Sequence, residues 1–376
     1  MRILQRLKRK IRWHFIDILA RLGIGDREII KQGRRPAYGE ASPRRLTVPM
    51  GDEPFDPHDA LHGSYSSSLQ CADIPHAVWS VTNEAAECLR YYPAGLGDGA
   101  NQTVLLYIPG DVILRTARGV RLVGKAYTQK TPNELLELMR EWASDACSPA
   151  IYMGRPGIFG SSGDHEKRRQ PYEIDLMDAA LDLIKERHNI ENFIIVGQSG
   201  GGQIAAALLN RRTDIIAAVM TAGLLSVHDT VRRWRRVRPV PGGAVYPVEA
   251  LYDPSLEIDH ISRNPEPQIV VISDPRDSVI SFNSHIRYLQ KLRSQGFEPH
   301  HIFAHAEAPK HHNLGAHGRK VAALLAKGLD LITIRKAMVD MDMLSLTTES
   351  TVVPLNAVKR PVANEIRRTS AKQRKG

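Results

Sequence analysis

The chain has 376 residues, of which 42% are hydrophobic and 24% charged, as in an ordinary soluble globular protein. Its net charge of +10 is concentrated at the ends, where residues 1–35 hold eleven Lys or Arg against three Asp or Glu, and residues 356–376 hold seven against one. The body between these ends has a net charge of −4. This distribution argues against a nucleic-acid enzyme, because such an enzyme carries positive charge around its working site.

The three cysteines, Cys71, Cys88 and Cys147, form an odd and sparse set without a CxxC pair. This spacing predicts neither a disulfide framework nor a zinc site. We therefore expect small buried thiols in a reducing compartment, and hence a cytoplasmic protein.

Residues 3–22 place apolar side chains at steps of three and four, with arginines and lysines mostly between them. The pattern predicts a basic amphipathic helix, and its charges argue against a transmembrane span or a secretory signal. Three interpretations stay open: a helix on an anionic membrane surface, a helix packed on the protein itself or on a second subunit, and an organellar transit peptide. The oligomeric state does not follow from the sequence.

Strand and helix patterns alternate along the body. Weak strand patterns near Val78–Val81 and Cys88–Tyr92 predict an antiparallel hairpin at its start. Buried strands are then predicted at Val104–Ile108, Ala150–Met153, Phe193–Val196, Ile215–Met220, Gln268–Ser273 and His300–Phe303. Helices are predicted from the Thr131 cap onward, over residues 172–187, and over Gln203–Leu209, Ser284–Gln295 and Val321–Ile334. Such alternation predicts an α/β fold with a mostly parallel central sheet and helices on both faces, followed from about Ser345 by a disordered tail.

The sharpest motif is GQSGG at residues 197–201, which follows the apolar strand Phe193–Val196 and leads into a helical segment. A strand, a G-x-S-x-G turn and a helix form the nucleophile elbow, in which a strained turn exposes a serine hydroxyl at a helix N-terminus. The small residues Gly197 and Gly201 let the strand and the helix approach each other. Ser199 is therefore the predicted nucleophile.

A serine hydroxyl needs a base, and after such an elbow the acid and the histidine follow in that order. Two carboxylates come just after the strand Gln268–Ser273. Asp277 is the predicted acid, because the loop has by then cleared the edge of the sheet. Asp274 is the alternative.

The base should lie between the last strand and the closing helix. His312 is the predicted base, with His311 and His317 as alternatives, whereas His300 and His301 sit at the start of the strand. A cluster of four histidines, His305, His311, His312 and His317, also raises the question of a zinc site, but no H-E-x-x-H motif is present and their spacings fit no helical pair. We expect no metal and no cofactor.

Together these segments resemble the α/β-hydrolase superfamily over about residues 75–335. The motifs are GQSGG at 197–201, SDPRDSV at 273–279 and HHNL at 311–314. The loop at 154–163 is similar to the D-x-R-G-x-G-x-S segment of prolyl-oligopeptidase-like and aminopeptidase-like relatives, except that Gly154 replaces the Asp and Pro156 intervenes before the glycine. The resemblance implies an oxyanion hole made by the backbone N–H groups of Gly200 and of Asp111 or Val112. The Asp111 carboxylate would then have to point away.

The resemblance implies a hydrolase domain over residues 41–340, with a basic extension at 1–40, a lid-like insert at about 224–267 and a basic tail at 341–376. The basic run Arg232–Arg236 of the insert is either a solvated helix face or a surface facing an acidic substrate. The predicted function is hydrolysis of an ester, thioester or amide through a Ser-His-Asp triad, with an esterase favoured over a peptidase. The alternatives are a peptidase of the prolyl-oligopeptidase or aminopeptidase type and a non-catalytic binding protein. The expected partner is a small acyl compound or a short peptide, not nucleic acid, with peripheral membrane contact through residues 1–22 as a further possibility.

Overall fold

A computed structural model of the protein describes residues 27–28, 42–115, 121–237 and 248–350. The amphipathic helix predicted over residues 3–22 lies outside the described residues, as does the chain from residue 351 onward. No helix within the described ranges is both long enough and apolar enough to cross a membrane.

The centre of the described part is an eight-stranded sheet. Its strands, numbered here in chain order, are β1 (Ala77–Val81), β2 (Ala86–Ala94), β3 (Asn101–Ile108), β4 (Ala150–Met153), β5 (Ile190–Gln198), β6 (Ile215–Thr221), β7 (Gln268–Ser273) and β8 (His300–Phe303). Their spatial order is β8-β7-β6-β5-β3-β4-β2-β1. β2 is antiparallel to both β1 and β4, and the other pairs are parallel. The predicted hairpin and the predicted mostly parallel sheet are thus both confirmed.

Helices cover both faces of the sheet, as the alternating pattern predicts. They are α1 (Pro132–Ala146), α2 (Pro171–Arg187), α3 (Gly200–Arg211), α4 (Val227–Val237), α5 (Phe282–Ser294), α6 (Gly315–Ala326) and α7 (Leu331–Ser350). Apolar residues of α2, α3 and α5 form one core, and those of α1, α6 and α7 form the other. Alternate residues of β5 enter the two cores: Phe193 and Ile195 enter the first, and Ile194 and Val196 the second.

Shorter elements surround the sheet. The described residues include short helices at Pro57–His62, Ser68–Ala72 and Lys125–Thr128, and short strands at Arg27–Glu28, Arg44–Arg45, Ser64–Tyr65, Ile113–Arg115 and Arg121–Gly124. The predicted lid-like insert contains α4 and three single turns of 3₁₀ helix at Val248–Ala250, Pro254–Leu256 and Ile258–His260. Its residues 238–247 lie outside the described residues.

The closing helix differs from the prediction. The single helix expected over Val321–Ile334 is two helices, α6 and α7, which are separated by residues 327–330. Gly328 lies in this break with φ +71°, a backbone conformation that ends helices and favours glycine. α7 then continues to Ser350, past the point near Ser345 where the sequence predicted a disordered tail.

The prediction of unpaired cysteines is wrong for two of the three. Cys71 and Cys88 form a disulfide, with Cα atoms 5.5 Å apart, whereas Cys147 is exposed and outside any disulfide. The short helix Ser68–Ala72 places Cys71 against β2, in a small apolar cluster with Leu46 and Ile74. The contact is made by tertiary packing, which the spacing of cysteines along the chain does not reveal. The argument from unpaired thiols for a reducing compartment therefore does not hold.

Candidate active site

Ser199 stands at the turn between β5 and α3, as the motif predicts. Its backbone has φ 55° and ψ −112°, a strained conformation for a residue with a side chain. Two hydrogen bonds fix the turn: the Ser199 N–H donates to Thr221 O at 2.9 Å, and the Leu224 N–H donates to Ser199 O at 3.0 Å. The hydroxyl is thereby held at the carboxyl edge of the sheet, beside the N-terminus of α3.

Glycine is required on both sides of the turn by close contact. A Cβ atom on Gly197 would lie 2.3 Å from the carbonyl oxygen of Gly201, and one on Gly201 would lie 2.1 Å from the carbonyl oxygen of Ile108. Distances of this size are far inside van der Waals contact. β5, α3 and the end of β3 can therefore approach as they do only with glycine at these positions.

The structure brings Asp277, His312 and Ser199 together in one hydrogen-bonded chain. Nε2 of His312 is 2.9 Å from Oγ of Ser199, and Nδ1 of His312 is 2.8 Å from Oδ2 of Asp277. The buried carboxylate of Asp277 also accepts the backbone N–H groups of Val279 and Ile280, at 2.7 and 3.0 Å. These three residues have the geometry of a Ser-His-Asp triad, and their catalytic role stays a prediction.

The alternative acid, Asp274, is engaged elsewhere. It accepts hydrogen bonds from the Arg276 side chain at 2.7 and 2.9 Å and from the Ala306 N–H at 3.0 Å. Burial alone would raise the pKa of Asp274, but these hydrogen bonds lower it to about 2. Asp274 therefore anchors the loop that follows β8.

The alternative bases also face other partners. Nδ1 of His311 is 3.0 Å from Ala306 O, and Nε2 of His317 is 3.0 Å from Oδ1 of Asp342 in α7. The structure thus places neither ring in a hydrogen bond with Ser199. Across the ranges that the structure covers, no three or more His, Cys, Asp or Glu side chains are grouped as metal ligands would be.

The loop after β3 lies against the elbow. A Cβ atom on Gly110 would be 3.2 Å from Cβ of Ser199. The carboxylate of the next residue, Asp111, lies close to Gly200: a Cβ atom on Gly200 would be 2.2 Å from its Oδ1. That this carboxylate points away from the oxyanion stays a prediction, and positive charge surrounds it.

Three arginines surround the Asp111 carboxylate. Arg155 donates to Oδ1 at 3.0 Å, Arg169 donates to Oδ2, and the guanidinium of Arg168 comes within 3.5 Å. Arg155 is fully buried, so burial lowers its pKa, and its charge needs carboxylate partners. The second partner of Arg155 is Glu173 of α2, at 2.9 Å. The negative charge of Asp111 is therefore compensated beside the elbow.

Sequence reasoning missed the roles of Arg155, Arg168 and Arg169, and that of Gln198, whose side chain contacts the loop of His312. The sequence indicated Arg155 only through the similarity of its loop to a peptidase motif. For Gln198, the available indication was a polar residue at the variable position before the serine of GQSGG.

The insert contacts the site through α4. Trp234 donates its indole N–H to Val279 O at 3.0 Å, and the guanidinium of Arg169 lies 5.6 Å from the centre of its ring. Residues 232, 233, 235 and 236, all arginine, are exposed on the outer side of the helix. Trp234 therefore connects the insert to the loop of Asp277 and to the arginines around Asp111.

A cavity of about 550 Å³ adjoins the loop of His312 without reaching the hydroxyl of Ser199. Tyr107, Tyr152 and Phe159 line one part of it, and His311 and Asn313 another. Ser199 is not among its lining residues, so the cavity lies beside the triad.

A family model described as alpha/beta hydrolase fold matches residues 157–243, a segment that includes the elbow and the first part of the insert. No curated protein sequence matches the chain.

Several solved structures are similar at low identity. An acylaminoacyl peptidase of Pyrococcus horikoshii is 12% identical, with a TM-score of 0.45, over 67% of this chain and 39% of that protein. A puromycin-hydrolyzing peptidase of Mycobacterium tuberculosis is 13% identical, with a TM-score of 0.46, over 67% and 39%. An esterase of Pyrococcus furiosus is 14% identical, with a TM-score of 0.47, over 76% and 97%. The chain thus matches about two fifths of the length of these peptidases. The family model and the observed order of strands agree on the α/β-hydrolase fold.

Proposed function

We propose that the protein is a serine hydrolase that cleaves a carboxylic ester, a thioester or an amide by way of an acyl-enzyme. The observation that carries this proposal is the unbroken hydrogen-bonded chain from Asp277 through His312 to the hydroxyl of Ser199. An isolated serine hydroxyl is a poor nucleophile, and a histidine held by a buried carboxylate is what activates it.

In the proposed reaction, His312 takes the proton of Ser199 as the serine oxygen attacks the substrate carbonyl. The tetrahedral intermediate then collapses, and His312 gives this proton to the leaving group. A water molecule, activated by the same imidazole, attacks the acyl-enzyme and releases the acid. Asp277 keeps the ring oriented and stabilises its charged form.

The N–H groups of Gly200 and Asp111 are the proposed donors to the oxyanion. The Gly200 N–H stands at the start of α3, where backbone donors lack acceptors within the helix. The Asp111 carboxylate would oppose a second negative charge, but Arg155 and Arg169 bind it. Their guanidinium groups therefore keep the local charge from being negative.

An esterase is favoured over a peptidase of the prolyl-oligopeptidase or aminopeptidase type. The loop at 154–163 is the feature that favours a peptidase, but its side chains bind neighbouring groups of the protein itself. Arg155 binds Asp111 and Glu173, and Ser161 and Ser162 accept the N–H groups of Arg90 and Cys88 at 3.0 and 2.8 Å. These contacts explain the loop without a peptide substrate. The proposed substrate is a small acyl compound.

A fluorophosphonate probe tests the proposal directly. We expect the wild-type protein to be labelled at Ser199, and Ser199→Ala to lose both labelling and ester turnover by at least about a thousandfold. Ser294→Ala, at the exposed end of α5, is the matched control and should behave as the wild type. A folded wild-type protein without labelling or turnover would show instead a binding protein that has kept the fold.

A substrate panel distinguishes the esterase hypothesis from the peptidase hypothesis. Faster turnover of p-nitrophenyl acyl esters than of aminoacyl p-nitroanilides would support the esterase, and the reverse order would support the peptidase.

A further inference from the structure

The side chain of Gln198 connects the nucleophile turn to the loop of the base. Gln198 is the last residue of β5, directly before Ser199, and is 7% exposed. Its Nε2 is 2.9 Å from His312 O, and its Oε1 is 3.1 Å from the Leu314 N–H. One amide thus forms hydrogen bonds with the main chain at two points, His312 and Leu314.

The orientation of this amide follows from its partners. The Leu314 N–H can only donate and His312 O can only accept, so Oε1 must face Leu314 and Nε2 must face His312. The hydroxyl of Thr221, the residue paired with Gln198 on β6, lies 2.7 Å from Oε1 and donates to it. The amide is therefore fixed from two neighbouring elements.

The loop of His312 runs from the end of β8 to the start of α6, over residues 304–314. Its imidazole contacts Asp277 and Ser199, but the main chain that carries the ring is held by Gln198. Because residues 198 and 199 are adjacent, a shift of the elbow would move Ser199 together with the amide that binds the main chain of His312. The distance between Ser199 Oγ and His312 Nε2 would then change little.

We propose that Gln198 is a positioning residue, which holds the His312 main chain so that Nε2 stays within proton-transfer distance of the Ser199 hydroxyl. The inference rests on the proposed function and names a further determinant of the same site. The position requires a neutral side chain of this length that donates at one end and accepts at the other. An ionised glutamate would face His312 O with an acceptor, and methionine would make neither bond.

Gln198→Met is the principal test, with Gln203→Met as matched control. Gln203 is also buried, but it lies on α3 and donates to main-chain oxygens outside the loop of His312, to Tyr252 O at 2.7 Å and to Arg169 O at 3.4 Å. We expect Gln198→Met to lower kcat and the rate of fluorophosphonate labelling by about 30- to 100-fold, because small misplacements of reacting groups have effects of that size. KM should stay within about threefold, since the ground-state binding surface is unchanged. Gln203→Met should lose thermal stability with kcat within about twofold of the wild type.

The pH dependence of Gln198→Glu activity is a second test, because a purely structural role of Gln198 would not change the pH profile. When protonated, the carboxyl can still donate to His312 O, and when ionised it repels that oxygen. Relative to the wild type, we expect the activity of Gln198→Glu to fall as pH rises from 6 to 9. This variant also serves if Gln198→Met does not fold.

The outcomes separate the two proposals. If the wild-type protein is not labelled, the proposed function fails. If it is labelled and Gln198→Met reacts at the same rate, the positioning role alone is overturned. Equal losses of kcat in Gln198→Met and Gln203→Met, or a Gln198→Glu activity ratio that is independent of pH, would also overturn it.

Discussion

Two aspartates that are three residues apart have different tasks because their surroundings differ. The side chain of Asp277 is fully buried, accepts two backbone N–H groups and leaves its Oδ2 to His312. Asp274 has its oxygens engaged by Arg276 and by the Ala306 N–H. Of the two, Asp277 is the one hydrogen-bonded to the imidazole of His312.

Asp277→Asn should abolish most activity, and Asp274→Asn should not. Without a carboxylate, His312 loses the partner that fixes its tautomer and stabilises its charge, so we expect kcat to fall by about a thousandfold or more. Asp274→Asn should instead lower the free energy of unfolding by about 1–3 kcal/mol, because it weakens charged hydrogen bonds. Ester kinetics and urea denaturation of both variants make the comparison. A loss of kcat in Asp274→Asn as large as that in Asp277→Asn would contradict the assignment of Asp277 as the acid of the triad.

At the scale of elements, local sequence patterns predicted much of the fold. The Thr131 cap of α1 is present with its reciprocal bond to Glu134, and β7 and β8 have the predicted bounds. The break before α7 was missed, although Gly328 after Lys327 is the local pattern that ends a helix. Periodicity finds where a face is apolar, and it is less sensitive to a short interruption.

The residues of the site likewise fall into those that a sequence pattern predicts and those that it does not. The elbow, Asp277 and His312 follow from a motif and from the order of loops along the chain. Gln198, Arg168 and Arg169 act through contacts with residues that lie 57 to 116 positions away in the sequence. Only the packing of elements brings such pairs together, so no local pattern reveals them.

The disulfide joins the short helix Ser68–Ala72 to β2. Replacing both Cys71 and Cys88 with Ser should lower the free energy of unfolding by about 3 kcal/mol, because the unfolded chain loses a crosslink across a short loop. Urea denaturation measures the change, and Cys147→Ser, at an exposed thiol, is the control.

Alkylation under denaturing conditions checks the pairing itself. Without reductant, iodoacetamide should modify Cys147 alone, and after reduction all three cysteines. Modification of all three without reductant would contradict the bridge.

At the scale of the whole molecule, two histidines with lowered pKa values make the stability of the fold depend on pH. Burial lowers the pKa of His285 to about 4, although its hydrogen bond to Gly223 O opposes the shift, and burial likewise lowers the pKa of His301 to about 4. The unfolded chain binds these protons near pH 6.5 and the folded chain only near pH 4. Since the unfolded state then holds more protons, the free energy of unfolding falls as pH decreases between these values.

His285→Gln should flatten this dependence. The amide can still donate to Gly223 O but takes up no proton, so the slope of unfolding free energy against pH should decrease by about 1 kcal/mol per pH unit between pH 6.5 and 4.5. Urea titrations at several pH values give the slope, with the exposed His305→Gln as control. A slope equal to that of the wild type would show that His285 is not the group that titrates.

Trp234 is an intrinsic fluorescent reporter at the contact between the insert and the loop of Asp277. Its indole donates to the loop of Asp277 on one side and faces the Arg169 guanidinium on the other. Indole fluorescence depends on nearby charge and hydration, so a shift of the insert upon substrate binding changes the emission of this side chain. The difference between the spectra of the wild type and of Trp234→Phe isolates that signal, and ligand titrations can then follow the insert in solution without an attached dye.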